Sequence, residues 1–172
     1  LIVRWEQTKL SYQALNKIMA AATDNDGATL QAPPLTGRIE FREVSFAWPE
    51  QPEVVSQVSL RIKPGERVGV IGRLGSGKST LLKLLLNQVS PTRGSVLVDD
   101  LVTTHLDALS LRRQMGYVPQ DVTLFHGSLR ENIGYGDLSA SDAQIEAAAR
   151  KAGAHEFISA LPEGYDAMVG ER

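Results

Sequence analysis

Between Gly72 and Ser79 the chain reads Gly-Arg-Leu-Gly-Ser-Gly-Lys-Ser, with four residues between Gly72 and Gly77 and Lys78 immediately after. That spacing is the pattern of a phosphate-binding loop. Glycines let the backbone curl until successive amides point inward at phosphate oxygens, and a helix starting where the loop ends adds the positive end of its dipole. The Lys78 ammonium is placed to bridge the β- and γ-phosphates of a nucleoside triphosphate. The Ser79 hydroxyl is placed to take one site on Mg²⁺, and Thr80 to reach the α-phosphate. Gly72, Arg73, Leu74, Gly75, Ser76, Gly77, Lys78, Ser79 and Thr80 are therefore the candidate nucleotide cradle, with Ser79 the candidate metal contact. Nothing in the loop selects a base.

Hydrolysis needs more than a phosphate loop. An acidic residue at the end of a neighbouring apolar strand must hold the metal's outer shell, and another group must orient the attacking water. Val96-Leu97-Val98 followed by Asp99 and Asp100 offers such a strand end, and it also reads as a surface strand closing in a turn. The absence of cysteine excludes disulfides and thiolate metal sites, and His105, His126 and His155 are too scattered to form a ligand cluster.

The elements that must position these residues follow from patterning. Ile39 and Phe41 alternate, a one-residue slip suggests a bulge, and Val44 and Phe46 resume the alternation before Val58, Leu60 and Ile62. Pro64-Gly65-Glu66 marks a turn. Val68 to Ile71, short and β-branched, predicts a strand buried on both faces directly before the loop. Leu81, Leu82, Leu84, Leu85 and Leu86 cover most of a helix circumference and predict a fully buried helix after it. Leu106 to Gln114 reads as a short helix and Met115 to Val118 as another strand, ended by Pro119. Ser128-Leu-Arg-Glu131 and Ser141-Asp-Ala-Gln144 carry capping-box spacing, and the second helix should end at Gly153.

Upstream, Leu1, Trp5, Thr8, Tyr12, Leu15 and Met19 recur at helical spacing, giving a helical extension over residues 1–23. Residues 24–36, with Asp-Asn-Asp-Gly and Pro33-Pro34, have linker composition, and the main domain is expected from residue 37 to 172. The composition is that of a globular domain, with 42% hydrophobic and 22% charged residues, and the net charge of -2 supplies no electrostatic reason to expect nucleic acid as a partner. No run approaches the ~20 apolar residues needed to span a bilayer. The chain opens without methionine and closes on Gly170-Glu171-Arg172 without a turn signal, the look of an excised segment.

From Gly37 onward the order of motifs resembles the ATP-binding domain of ABC exporters whose membrane and ATPase domains share one polypeptide. The carriers are Phe41-Arg-Glu-Val-Ser-Phe-Ala-Trp48-Pro, the phosphate loop, Tyr117-Val-Pro-Gln120-Asp121, Leu124-Phe-His-Gly-Ser-Leu-Arg-Glu-Asn-Ile133 and Val169-Gly-Glu-Arg172. The implied fold is an α/β P-loop NTPase domain of ABC type. It would comprise an antiparallel β-subdomain, the phosphate-loop strand and helix, and the start of a helical subdomain.

The resemblance implies ATP and Mg²⁺ as cofactors. Trp48 would stack on adenine, the alternative being an aromatic that covers the core. Gln120 would reach the metal and the attacking water and link the core to the helical subdomain. Leu124, Phe125 and the Val169–Arg172 segment would meet the membrane domain, although Phe125 also suits ordinary core packing. By the same resemblance Asp99 ends a peripheral strand and is no metal-shell residue. Ala167 stands where threonine is frequent, and Asp100 where glycine is common.

The loop and the Gly-Ser-Leu-Arg-Glu-Asn-Ile run look most like type I secretion ATPases, which export proteins. That places the parent protein at the cytoplasmic face of the bacterial inner membrane, working with a second ATP-binding domain as a homodimer. Lipid or drug exporters and soluble ABC-class ATPases acting on DNA or ribosomes are the alternatives. The signature sequence, the acidic strand with its catalytic glutamate and the switch histidine are expected beyond Arg172.

Overall fold

A computed structural model describes Tyr12 and residues 30–170. Tyr12 is helical and exposed; the rest of the expected N-terminal helix lies outside the described residues, as do Glu171 and Arg172. The chain divides into two compact units, residues 1–116 and 117–172.

The first unit is built on an antiparallel sheet of β1 (Ile39–Ala47), β2 (Glu53–Ile62), β3 (Arg93–Val98) and β4 (Leu101–Val102), in the order β2-β1-β3-β4. Phe41 pairs with Leu60 on one side and Val96 on the other. Phe41 and Val44 are an odd number of residues apart, so an unbroken strand would point them to opposite faces. The register shift between them, with Glu43 at φ 48°, returns Phe41, Val44 and Phe46 to one buried face. Helix α1 (Lys78–Leu85) lays Leu84 on that face together with Val55 and Val96.

A second cluster gathers Val98, Leu106 and Leu111, the last on α2 (Ala108–Arg112). Asp107 caps α2 by accepting from the Ser110 amide at 2.7 Å. Residues of the expected linker are strapped to this helix and the turn after it: the Ala32 amide donates to Ser110 Oγ (2.9 Å), the Leu35 amide to Gln114 Oε1 (2.9 Å) and Gln114 Nε2 to Pro33 O (3.0 Å).

Asp99 and Asp100 form the turn from β3 to β4, both left-handed at φ 49° and 66°, as a two-residue hairpin requires. The Asp99 carboxylate accepts from the Thr36 amide and hydroxyl (2.6 Å to the latter), the Gly37 amide (3.4 Å) and the Arg38 amide (2.9 Å). Burial pushes this carboxyl up, but the bonds from Thr36, Arg38 and Gly37 outweigh it and hold it below the usual carboxylate range. A folded value below the unfolded one stabilises the fold above the unfolded pKa of about 3.9, and that gain is lost as pH falls through the folded value. Asp99→Asn should therefore be less stable than the parent near neutral pH, with the gap closing as pH drops below about 4, read from denaturation midpoints at a series of pH values. A gap independent of pH would remove the carboxylate's charge from the explanation.

Two expected strands do not form. Val68 to Ile71 and Met115 to Val118 carry no strand pairing, and Val68, Val70, Ile71 and Val118 are 43, 53, 98 and 86% exposed. A strand exists only through ladder partners at its edges, and among the described residues none hydrogen-bonds to either segment as a strand. The expected full burial of the leucine-rich helix fails in the same place. Leu84 and Leu86 are buried and Leu81 and Leu85 half-buried, but Leu82 is exposed.

The second unit has a two-stranded antiparallel ladder of β5 (Gly127–Ser128) and β6 (Met168–Val169), with α3 (Leu129–Gly134), α4 (Asp142–Lys151) and α5 (His155–Ser159). Both expected capping boxes are present. The Ser128 amide donates to Glu131 Oε2 (2.7 Å) while Ser128 Oγ accepts from the Glu131 amide (3.1 Å), and the Ser141 amide donates to Gln144 Oε1 (2.8 Å). Gly153 follows α4 at φ 71°, the left-handed stop read from the sequence. Among the described residues no helix is long and apolar enough to cross a membrane.

Candidate functional site

The phosphate loop curls around its own lysine. Lys78 Nζ donates to Gly72 O at 2.9 Å, Arg73 O at 2.6 Å and Ser76 Oγ at 3.4 Å, and the Ser76 amide closes a turn onto Arg73 O at 3.2 Å. Gly77, at φ 85°, is the N-cap of α1. A Cβ there would stand 2.8 Å from Val54 O of β2 and 3.2 Å from Val55 Cγ2, so the position needs glycine for both its backbone angle and the strand passing beside it.

A glycine N-cap has no side chain to accept from the first-turn amides, and α1 has no acidic residue in that turn. The amides of an opening helical turn have no intrahelical acceptor. Asp107, Ser128 and Glu131 supply acceptors at the starts of α2 and α3; α1 supplies none. Uncapped donors, the helix dipole and the Lys78 ammonium fit a polyanion, and an exposed Ser79 hydroxyl beside them fits a magnesium ion that takes its other ligands from phosphate and water. Thr80 is buried at 7% exposure.

Trp48 follows β1 in a turn closed by the Gln51 amide donating to Trp48 O at 3.0 Å. It is half-buried against the first core cluster, meeting the Phe46 ring edge-on at 4.9 Å between centroids. Lys83 Nζ of α1 lies over the indole, 5.3 Å from its centroid. Phosphate loop, α1 and Trp48 thus belong to one unit, and α1 and Trp48 share its first core cluster. Lys83 was not singled out by sequence reasoning. It stands three residues after Thr80, on the same helix face, but nothing local in the sequence joins it to a tryptophan 35 residues earlier.

In the second unit, Gln120 lies in an exposed bend. Phe125 is 57% exposed and stacks on Tyr135 at 4.4 Å with 20° between planes, so it does not pack in a core. Asn132 clips the segment to α3, accepting from the Phe125 amide (2.8 Å) and donating to Phe125 O (3.0 Å) and Ser128 O (2.9 Å). Pairing of β5 with β6 sets Val169 against Gly127, and a Cβ on Gly170 would stand 2.6 Å from His126 Cα. The described residues of the two segments expected to meet a membrane domain are therefore neighbours. Nearby, Arg130 of α3 pairs with Asp166 (3.0 Å) and Asp142. A cleft of about 480 Å³ opens here, lined by Phe125, Tyr135, Leu138, Ile145, Arg130 and Asp142. It marks a recess in the second unit, whereas the phosphate-loop motif lies in the first.

Residues 55–168 match the sequence model of the ABC transporter family. The chain belongs to that family. It is 49% identical over 168 residues to the cyclolysin secretion/processing ATP-binding protein CyaB of Bordetella pertussis, covering 97% of this chain and 24% of that protein. It is 40% identical over 169 residues to the leukotoxin export ATP-binding protein LtxB of Aggregatibacter actinomycetemcomitans, covering 98% and 24%. A solved structure of a bacterial Atm1-family ABC exporter with ATP bound superimposes with a TM-score of 0.85 at 31% identity, over 97% of this chain and 30% of that one. The chain thus spans about a quarter of the length of the curated relatives it matches. As part of an ABC transporter ATPase domain it carries the family's ATP-binding fold, and its antiparallel β-subdomain is the four-stranded sheet of the first unit. Within that sheet Asp99 follows the end of β3 and is bound to Thr36–Arg38.

Proposed function

We propose that this chain is the phosphate-gripping part of an exporter ATPase that drives protein secretion of the type I class at the cytoplasmic face of a bacterial inner membrane. The observation that carries the reading is the glycine-capped, acid-free start of α1, with the loop closed on the Lys78 ammonium. Loop amides and Lys78 would hold the phosphates of ATP, Ser79 would bind Mg²⁺, and Gln120 would orient water and metal. When bound, ATP and the metal supply the phosphoryl-transfer chemistry. The protein's own groups bind, orient and neutralise charge. The alternatives of a lipid or drug exporter, or a soluble ATPase acting on DNA or ribosomes, are disfavoured by the kinship with toxin-export proteins.

The membrane domain would dock on the exposed Leu124 and Phe125 and the adjoining Val169–Arg172 segment, and a second copy of the ATP-binding domain would complete each nucleotide site. The sequence upstream of Leu1 tests the exporter reading: apolar spans of about 20 residues each are expected there, and a soluble upstream domain would overturn it.

Trp48 would take the adenine ring. Its half-buried indole, fixed by Phe46 and adjacent to α1, suits that role. Trp48→Ala should weaken ATP binding by about 1–3 kcal/mol, the range of base stacking on an aromatic side chain, and ATP should alter the fluorescence of Trp48 in a Trp5→Phe background. Unchanged affinity in calorimetry would return Trp48 to core packing alone.

A further inference from the structure

We propose that Lys83 is a positioning residue for the base end of the nucleotide site, acting through the indole of Trp48. The inference rests on the reading of Trp48 as the adenine platform and adds a second residue to it. Lys83 Nζ stands 5.3 Å from the ring centroid, within the range where an ammonium is attracted to the negative face of a π system. The Phe46 ring meets the indole edge-on, at 4.9 Å with 89° between planes, the arrangement that ring quadrupoles favour. Phe46 belongs to β1 and Lys83 to α1. Trp48 itself lies past the end of its strand, so no ladder fixes its orientation; packing on the first core cluster, the Phe46 edge and the Lys83 ammonium hold it instead.

Lys83 is three residues after Thr80 and five after Lys78. The helix whose first turn faces the phosphates therefore also carries the cation that orients the base platform. With the ammonium over one π face, the purine would take the opposite face. Fixing both grips to one helix sets their separation before the ligand arrives, and such preorganisation strengthens binding by lowering the ordering cost.

The test uses the chain with Trp5→Phe, which leaves Trp48 as its remaining tryptophan, and compares Lys83→Met and Lys83→Arg with that parent. Without nucleotide, acrylamide quenching of Trp48 should rise in Lys83→Met and stay at the parent level in Lys83→Arg, which keeps the cation. ATP affinity should fall about two- to five-fold in Lys83→Met, as expected for a cation–π contact of this exposure, and hold in Lys83→Arg. Tripolyphosphate, which has no base, should bind all three alike. In a Trp48→Ala background, Lys83→Met should have no further effect.

Unchanged quenching in Lys83→Met overturns the proposal whether or not nucleotide binds. A matching loss of tripolyphosphate affinity also overturns it, making Lys83 a direct phosphate contact, as does a gain in ATP affinity, which would set ammonium and base in competition for one face. If Trp48→Ala weakens ATP binding and Lys83→Met does not, Lys83 alone is removed. If Trp48→Ala has no effect, the platform reading fails and the role of Lys83 falls with it.

Discussion

Replacing Lys78 with alanine should lower the affinity for Mg²⁺-ATP by roughly two orders of magnitude or more, since each hydrogen bond to a charged group contributes about 1.5–3 kcal/mol and a tenfold change is about 1.4 kcal/mol. Without nucleotide the Lys78 ammonium donates to Gly72 O, Arg73 O and Ser76 Oγ. It therefore waits inside the loop, already gathered by the carbonyls that shape it, and a triphosphate offers it stronger, charged acceptors. The substitution acts on both sides of the exchange, because the loop loses its internal tie as well as its cation. Calorimetry on parent and Lys78→Ala chains, with and without Mg²⁺, reads the effect, and a thermal midpoint for each separates lost binding from lost folding. Equal affinities in two folded chains would strip Lys78 of its role.

What was legible in the sequence was what short-range chemistry decides. The capping residues of α3 and α4 are three apart, the Gly153 stop follows its helix directly, and the slip between Phe41 and Val44 announces a bulge within one strand. The loop is legible for the same reason: Gly72, Gly77, Lys78 and Ser79 shape one another over eight residues. Strands at Val68–Ile71 and Met115–Val118 were misread because apolar, β-branched composition describes a segment suited to a buried sheet, whereas the strand itself is a property of its neighbours. The exposed Leu82 belongs to the same deficit, since a helix hydrophobic all round is buried only where something covers every face. Contacts such as Lys83 over Trp48 and Arg130 between Asp142 and Asp166 are long-range, and neither leaves a periodicity to read.

The second large effect expected is on turnover: the chain by itself should release phosphate from ATP at the background rate, and a chain extended through the signature, acidic-strand and histidine segments of the family should hydrolyse it. Phosphoryl transfer needs the attacking water oriented and the charge around the γ-phosphate stabilised, and losing such groups costs orders of magnitude in rate. On the proposed reading, residues 1–172 offer Lys78 and Ser79 on the loop and Gln120 for water. The one strand-end carboxylate near the loop in sequence, Asp99, is engaged by Thr36, Gly37 and Arg38 at the far end of β3, and its neighbour Asp100 pairs with Arg38 at 2.8 Å. Both carboxylates are thus engaged at the β3–β4 turn. The exposed apolar residues at Val68, Val70 and Ile71 would gain ladder partners from the same added strands, so extension should raise the denaturation midpoint along with the rate. Multiple-turnover phosphate release, measured on both chains with and without Mg²⁺, decides the point. Robust Mg²⁺-dependent turnover by the 172-residue chain, abolished by Asp99→Asn or Asp100→Asn, would show that the β3–β4 turn is the acidic strand end after all.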